Sequence, residues 1–139
     1  MKNSYFLDTS YSVALAIEKD QFHEKAVKLS FELAAHDSEI ITTHGVLLEI
    51  GNALAKQAYR PAAVRMLQHY EFDLKTRVVG VSQELYDSAF ILFSERTDKE
   101  WSLVDCISFT VMQQFEIESA LTADRHFIQA GFRALLRED

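Results

Sequence analysis

The sequence predicts an α/β fold in which a parallel sheet is flanked by helices. Short apolar segments typical of strands alternate with segments whose apolar residues recur every three or four positions, as in amphipathic helices. Such alternation is typical of parallel strands, because each pair needs a crossover connection that is usually a helix. The chain has 139 residues, 48% apolar and 25% charged, with four glycines and one proline. These values fit one compact domain spanning residues 1–139.

The first half of the chain contains the patterns of two strands and four helices. Favoured caps and a proline in a first turn mark the helix starts. In order, we expect a strand at 4–8, a helix through 12–17, a longer helix from an Asp20 N-cap to about His36, a strand at 39–42, a helix from a Thr43 cap to about Tyr59, and a helix opened by Pro61 that runs toward Glu71.

The second half continues the alternation. In order, we expect a strand at 76–81, a helix from Ser82 with Leu85, Ala89, Leu92 and Phe93 facing inward, a polar loop at 96–101, a helix at 102–116, a strand at 119–123, a short helix at 125–130 stopped by Gly131, and a fifth strand at 132–135.

Four acidic residues are placed by these elements at one edge of the sheet. Asp8 and Asp124 close predicted strands, Asp105 lies in a first helical turn, and Glu49 lies two turns into the helix that Thr43 caps. Ligands of open α/β sheets bind outside the carboxyl ends of the strands, where the strand order reverses. Carboxylates that meet there repel unless protons or a cation neutralise them. A divalent cation with oxygen ligands is the simplest solution, and it indicates chemistry on phosphate esters.

Each acid also has a purely structural alternative. Asp8 and Asp124 precede helices and fit N-caps, and Asp105 fits a capping box with Ser102. Glu49 lies away from any cap, on the flank of an apolar stripe, where its alternative is an exposed helix former. The conjunction of four acids on four elements favours the functional interpretation.

Polar residues beside these acids are candidates for assisting roles. Ser10, Ser102 and Thr122 are candidates to bind metal-bound water or a phosphate oxygen. The alternative for each is capping or turn formation, and it is favoured for Thr122. His126 lies near enough to Asp124 to reach a substrate, although a surface or capping role is favoured.

Lys56, Arg60 and Arg65 form a loose basic cluster that is a candidate RNA contact, although such clusters are usually solvated faces. Trp101 has two interpretations, stacking on a base or covering the loop, and the second is favoured.

The overall charge limits the partners. Fourteen Lys and Arg against 21 Asp and Glu give a net charge of −7. Nucleic-acid binders are usually basic, so RNA binding here needs a metal, a local basic patch or a basic partner. The single cysteine, Cys106, excludes an internal disulfide and favours a cytoplasmic protein. We expect no membrane association, because no apolar run approaches about 20 residues and the N-terminus lacks a signal-peptide pattern.

Four blocks of sequence contain the four acids. They are Leu7-Asp8-Thr9-Ser10, Leu48-Glu49-Ile50-Gly51-Asn52-Ala53-Leu54, Trp101-Ser102-Leu103-Val104-Asp105-Cys106-Ile107-Ser108-Phe109, and Leu121-Thr122-Ala123-Asp124-Arg125-His126-Phe127 followed by Ala130-Gly131-Phe132. Together these blocks resemble the PIN-domain nucleases, with the closest likeness to VapC-type toxins of toxin–antitoxin pairs. The likeness covers essentially the whole chain and keeps the four acids in the family's order.

The resemblance implies a three-layer α/β/α sandwich with a central, mostly parallel sheet of four to five strands. It implies an endoribonuclease dependent on Mg²⁺ or Mn²⁺, with Asp8 and Asp105 as the chief metal ligands and Asp124 and Glu49 completing the site. It also implies a homodimer and inhibition by a cognate antitoxin protein. Residues 55–95 carry no pattern that identifies the RNA target.

Two other functions remain open at this point. A haloacid-dehalogenase-like phosphatase also places an aspartate after the first strand, but it needs a second aspartate two residues on, where this chain has Ser10. An acidic, non-catalytic interaction domain would use the same cleft to bind a basic protein partner.

Overall fold

A computed structural model describes residues 3–139 and contains one sheet of five parallel strands with helices between them. The strand order is β3-β2-β1-β4-β5. The elements are β1 Asn3–Leu7, α1 Thr9–Ala16, α2 His23–Ala35, β2 Ser38–Thr43, α3 His44–Ala53, α4 Arg60–Phe72, β3 Thr76–Val79, α5 Gln83–Glu95, α6 Leu103–Gln114, β4 Ser119–Leu121, α7 Arg125–Gln129, β5 Arg133–Ala134 and a 3₁₀ turn Leu135–Arg137.

The strand order reverses beside the central strand β1. The chain moves outward from β1 through β2 to β3, then returns to place β4 on the other side of β1. Phe6 pairs with Ala120 and Leu7 with Leu121, and the Asp8 N–H continues the ladder by donating to the Leu121 carbonyl at 3.2 Å. The carboxyl ends of β1 and β4 are therefore the position at which a ligand cleft is expected.

Helices cover both faces of the sheet. Alternate residues of β1 point to opposite faces. Phe6 faces the Phe127 ring of α7, 6.3 Å away between centroids, and Phe127 packs edge-on against Phe109 of α6 at 4.9 Å. Leu7 faces the other side, where it lines a cavity with residues of α1, α2 and α4 such as Tyr11. The predicted three-layer α/β/α sandwich is confirmed, and all five strands are parallel.

The helix that Thr43 caps ends earlier than predicted. The cap is confirmed, since Thr43 Oγ1 accepts from the Val46 N–H at 3.2 Å, but α3 stops at Ala53 and not near Tyr59. Pro61 lacks a backbone N–H, so it is tolerated in the first turn of a helix but not in its interior. The helix that Thr43 caps must therefore end before Pro61. Leu54 is the C-cap of α3 and is fully buried. Its position fixes the end of α3 at Ala53, six residues before the predicted end.

Two further helix predictions are corrected by the structure. Asp20 is not the N-cap of α2, because its carboxylate accepts from the Phe22 N–H at 2.8 Å and Phe22 itself occupies the cap position. Phe93 does not face inward; it is 42% exposed and lies beside Phe90, on the outer side of α5, whereas Leu85 and Ala89 are buried.

The ends of the shorter elements also differ from expectation. β3 and β4 end at Val79 and Leu121, two residues before the predicted positions, and the 3₁₀ turn after β5 was not predicted. Gly131 has φ of 95°, a conformation that glycine adopts freely, which explains why α7 stops there. Within residues 3–139, no helix combines the length and apolarity needed to cross a bilayer.

Candidate active site

All four predicted acids line one cleft of about 880 Å³ beyond the carboxyl ends of β1 and β4. The four come from four elements: Asp8 precedes α1, Glu49 lies in α3, Asp105 in the first turn of α6, and Asp124 precedes α7. The spatial prediction that these carboxylates share a solvent-reachable cleft therefore agrees with the geometry.

Asp8 is the most deeply buried of the four, with 6% of its surface exposed. Its Oδ2 accepts from Thr122 Oγ1 at 2.7 Å and lies 3.2 Å from the Ser10 hydroxyl. Burial raises the pKa of Asp8 to about 6, and the carboxylates of Asp105 and Asp124 push it in the same direction. The fold therefore holds an acid here at a cost in free energy whenever the group is charged.

Thr122 and Ser10 connect the neighbourhoods of two acids. Thr122 is fully buried, and its Oγ1 donates to Asp8 while it accepts from the Asp124 N–H at 3.0 Å. Ser10 Oγ lies 3.0 Å from Thr122 Oγ1 and accepts from the Ala123 N–H at 2.9 Å. These bonds fix the segment after β4 against the start of α1, and with it the relative placement of Asp8 and Asp124.

Glu49 is half-buried, and Thr9 holds one of its oxygens. Thr9 Oγ1 donates to Glu49 Oε1 at 2.8 Å, a contact that joins α1 to α3. Burial raises the pKa of Glu49, with further contributions from the charges of Asp105 and Asp124, against the effect of the Thr9 hydrogen bond.

Asp105 both caps a helix and faces the cleft. Its Oδ2 accepts from the Ser102 N–H at 3.0 Å, while Ser102 Oγ accepts from the Asp105 N–H at 3.0 Å, which completes a capping box. Its side chain is 13% exposed. Burial and the charge of Asp124 raise the pKa of Asp105, although the Ser102 N–H and His126 oppose the rise.

His126 lies between two of the acids. Its Nδ1 is 3.2 Å from Asp105 Oδ2 and 3.3 Å from Asp124 Oδ1, and its backbone N–H donates to the same Asp124 oxygen at 2.8 Å. One ligand atom from each of Asp105, Asp124 and His126 lies within 4.8 Å of the other two.

A helix-capping role and a position on the cleft are compatible for these acids. Asp105 and Asp124 make side-chain caps, whereas Asp8 occupies an N-cap position without a side-chain cap bond. Capping therefore accounts for the local geometry of two acids, but it does not account for four carboxylates on one cleft.

The donor set of the cleft fits a divalent cation. Among the residues 3–139, the cleft lining contains no Lys or Arg, and His126 is its one side chain able to carry positive charge. Three of the acids have raised pKa values because burial and mutual repulsion disfavour their charged forms. A divalent cation neutralises such a set, since carboxylate oxygens suit Mg²⁺ and an imidazole nitrogen also suits Mn²⁺.

The other predicted contacts lie elsewhere or serve the fold. Lys56 is exposed in the turn after α3, Arg60 donates twice to the Ala55 carbonyl, and Arg65 lines the cavity against α1 and α2. None of these three lines the acidic cleft as described for residues 3–139. Trp101 is 6% exposed and donates to Gln129 Oε1 at 3.0 Å, so it covers the loop and does not present a stacking face.

Several residues of the cleft were not foreseen from the sequence. Asp20 and Glu100 add two more carboxylates to its lining, and Thr9 holds Glu49. Thr122, for which the sequence favoured a turn or capping role, lies behind the lining and donates to Asp8. Thr9 adjoins Asp8, and Thr122 lies two residues before Asp124, so proximity to an acid is a usable signal for both threonines. Asp20 and Glu100 lie in loops, where no periodicity places a side chain.

A cleft of converging carboxylates at the reversal point of a parallel sheet fits metal-dependent chemistry on phosphate esters. A family model described as the PIN domain matches residues 5–133. This chain belongs to the PIN-domain family.

The curated relatives agree with this family. The 23S rRNA-specific endonuclease VapC20 of Mycobacterium tuberculosis, from strains CDC 1551 / Oshkosh and ATCC 25618 / H37Rv, is 31% identical over 127 residues. The match covers 91% of this chain and 94% of the relative.

A solved structure shows the same likeness. The crystal structure of VapC20 from Mycobacterium tuberculosis, a toxin that cleaves the sarcin-ricin loop, matches with a TM-score of 0.82 and 30% identity. The match covers 92% of this chain and 95% of the VapC20 chain. The predicted family, and with it an endoribonuclease of the toxin–antitoxin type, is confirmed.

Proposed function

We propose that this protein hydrolyses a phosphodiester bond in a structured loop of large-subunit ribosomal RNA, with Mg²⁺ or Mn²⁺ as its cofactor. The observation that carries the proposal is the cleft itself, where four carboxylates from four elements meet without a Lys or Arg in the lining described for residues 3–139. The activities of the VapC20 relatives on 23S rRNA and on the sarcin-ricin loop support the choice of substrate.

Asp8, Asp105 and Asp124 are proposed to hold the divalent cation, with Glu49 completing the acidic site. When bound, such a cation lowers the pKa of the attacking water and screens the charge that develops on the phosphate. The identity of the metal as Mg²⁺ or Mn²⁺ is part of the proposal.

The residues of the chain position the reacting groups. Thr122 and Ser10 orient the Asp8 carboxylate through Oδ2, and Ser102 orients Asp105 through the capping box. Thr9 holds Glu49 Oε1, and the raised pKa of Glu49 suits a group that orients water and accepts a proton. The His126 ring hydrogen-bonds to Asp105 Oδ2, and its backbone N–H donates to Asp124 Oδ1, so this residue links the two acids.

Cleavage of defined RNAs by purified protein tests the proposal. We expect Mg²⁺-dependent cleavage of an RNA hairpin with the sarcin-ricin loop sequence, and much slower cleavage of a hairpin of scrambled sequence. Asp8→Asn and Asp105→Asn should each reduce kcat at least about 100-fold, the scale of losing a transition-state contact. Asp37→Asn is the matched control, because Asp37 is 96% exposed and pairs with Lys75 outside the cleft. Undiminished cleavage by both active-site variants rejects the assignment.

An acidic interaction domain remains the second candidate, since the net charge of −7 and the acidic cleft also fit a basic protein segment. Titration with Mg²⁺ separates the two functions. A nuclease site that binds the ion in the folded state raises the melting temperature in proportion to the logarithm of the ion concentration, whereas a non-catalytic module does not.

We also infer that the protein is cytoplasmic, forms a homodimer and is inhibited by a cognate antitoxin. Co-expression with the adjacent reading frame, followed by light scattering of the purified complex, measures both the partner and the stoichiometry.

A further inference from the structure

An acidic cleft needs positive charge at its border to hold RNA. The lining includes Asp20 and Glu100 in addition to the four central acids, and His126 is its one basic side chain within residues 3–139. A bound cation serves the reacting phosphate, but the neighbouring phosphates of the strand still face carboxylates. Phosphate contacts by Lys and Arg supply most of the affinity of such complexes.

Arg137 lies at this border. It ends the 3₁₀ turn Leu135–Arg137, whose leucines are buried, and the Leu136 N–H donates to the Thr122 carbonyl at 3.1 Å. The turn is thereby fixed to the segment that carries Asp124. Arg137 was not predicted as a site residue.

The guanidinium of Arg137 contacts two residues of the cleft wall. Its Nε donates to the Ala123 carbonyl, and its Cζ lies 5.2 Å from the centre of the Phe22 ring. Ala123 and Phe22 both line the cleft. Phe22 is itself fixed, because its N–H donates to Asp20 Oδ1 at 2.8 Å.

The other arginines with described contacts are differently engaged. Arg133 and Arg96 pair with the carboxylates of Glu138 and Asp98, and Arg60 caps the Ala55 carbonyl. Arg77 lies over the Phe115 ring, with its Cζ 4.8 Å from the ring centre, and neither residue lines the cleft. Among residues 3–139, Arg137 is exposed, has no carboxylate partner, and uses Nε alone in a hydrogen bond. Its two Nη groups therefore keep donors in the fork geometry that suits a phosphate.

We propose that Arg137, held by Phe22 and the Ala123 carbonyl, binds a backbone phosphate of the RNA strand at the edge of the acidic cleft. This inference rests on the proposed function and adds a phosphate-binding position to it. RNA binding costs Arg137 little further conformational entropy, because the Phe22 ring and the Ala123 carbonyl already restrict its guanidinium in the free protein.

Kinetics of Arg137→Gln and Arg137→Lys test the inference, with Arg133→Gln as the matched control. Arg133 is two residues away in the same segment and loses the same charge, but its guanidinium pairs with Glu138. We expect Arg137→Gln to raise KM for the sarcin-ricin hairpin about tenfold with kcat within about twofold, as for loss of one charge-assisted phosphate contact. Arg137→Lys should fall between it and the wild type, since a point charge replaces the fork.

The salt dependence of RNA binding separates a phosphate contact of Arg137 from a purely structural role, because a structural role leaves this dependence unchanged. Fluorescence anisotropy with the labelled hairpin is measured in the Asp8→Asn background, so that the RNA stays intact. The slope of log Kd against log salt should be smaller by about 0.7 for Arg137→Gln and unchanged for Arg133→Gln.

The outcomes separate the inference from the function it rests on. A wild-type protein that cleaves no RNA with Mg²⁺ overturns the proposed function, and the anisotropy slopes still decide whether Arg137 contacts phosphate. Cleavage by the wild type with equal KM and equal slope in Arg137→Gln overturns the Arg137 contact alone. If Arg137→Gln fails to fold, the folded Arg137→Lys variant still decides: it keeps the charge and the salt slope, so a wild-type KM in it counts against a fork contact.

Discussion

The hydroxyl of Thr122 donates to Asp8 Oδ2 at 2.7 Å while it accepts from the Asp124 N–H at 3.0 Å. One buried side chain thus spans the end of β1 and the start of α7, and it aligns two acids that are 116 positions apart in the sequence. Because Thr122 is fully buried, water from the cleft cannot take its place as hydrogen-bond partner of Asp8 or Asp124 unless the structure rearranges.

Replacement of Thr122 by Val tests this connection. Val keeps the shape but leaves the Asp8 carboxylate and the Asp124 N–H without this partner, so we expect a loss of about 1–3 kcal/mol in unfolding free energy. We also expect kcat to fall, because Asp8 and Asp124 lose their common support. Urea denaturation and cleavage kinetics measure the two effects. Thr122→Ser, which retains the hydroxyl, is the control and should remain close to the wild type in both.

Asp8→Asn should stabilise the metal-free protein near neutral pH. The rise in the pKa of Asp8 from 3.8 to about 6 corresponds to roughly 3 kcal/mol at about 1.36 kcal/mol per pKa unit. The folded protein retains the proton longer than the unfolded chain, so this group lowers stability as the pH rises from 3.8 to about 6.

The difference in unfolding free energy between Asp8→Asn and the wild type should therefore be small near pH 4 and reach about 1–3 kcal/mol by pH 7. Urea denaturation with EDTA at several pH values gives this difference. Glu95→Gln, on the exposed side of α5, is the control for loss of a surface carboxylate. A difference independent of pH would contradict the assigned cause.

His126→Ala should weaken the metal-free protein and enlarge its response to metal. The imidazole Nδ1 lies within 3.3 Å of an oxygen of Asp105 and of Asp124, so its loss leaves the two carboxylates closer to direct repulsion. We expect a loss of about 1 kcal/mol without metal and a larger rise in melting temperature on addition of Mg²⁺. His126→Asn places an amide donor near the position of Nδ1 and should behave more like the wild type.

Thr9→Val should affect catalysis through Glu49. Thr9 Oγ1 holds Glu49 Oε1 at 2.8 Å, and its removal frees the carboxylate within a half-buried position. We expect a decrease in kcat with little change in KM, and the same decrease should not be seen in Thr9→Ser. In a double-mutant cycle with Glu49→Gln, the two effects should be non-additive; full additivity would show that Thr9 acts elsewhere.

The sequence was sufficient to place the acids because their signals are local. The position of Asp8 after a strand marks the carboxyl end of that strand, and the Ser102–Asp105 capping box marks the start of a helix. In a parallel sheet both signals also indicate the edge at which the acid lies. The strand order that brings β1 beside β4 then completes the cleft. The same local rules predicted the caps by Thr43 and Ser82.

The remaining differences arise from tertiary contacts. The break after Ala53 depends on the burial of Leu54, and the outward direction of Phe93 depends on which side of α5 packs against α6. Arg137 is recognisable only once β5 returns the chain to the Ala123 carbonyl. No periodicity within the segment 132–139 carries that information.

The capping bonds of Asp105 and Asp124 have an evolutionary consequence. Asparagine offers a carbonyl oxygen that accepts the same backbone N–H bonds, and at the N-cap position of Asp124 it is as good as aspartate. A single nucleotide change converts an aspartate codon into an asparagine codon. If the proposed function holds, one mutation at either position would therefore leave a folded protein that has lost a metal-binding carboxylate, whereas exchange for alanine would also remove the capping bond.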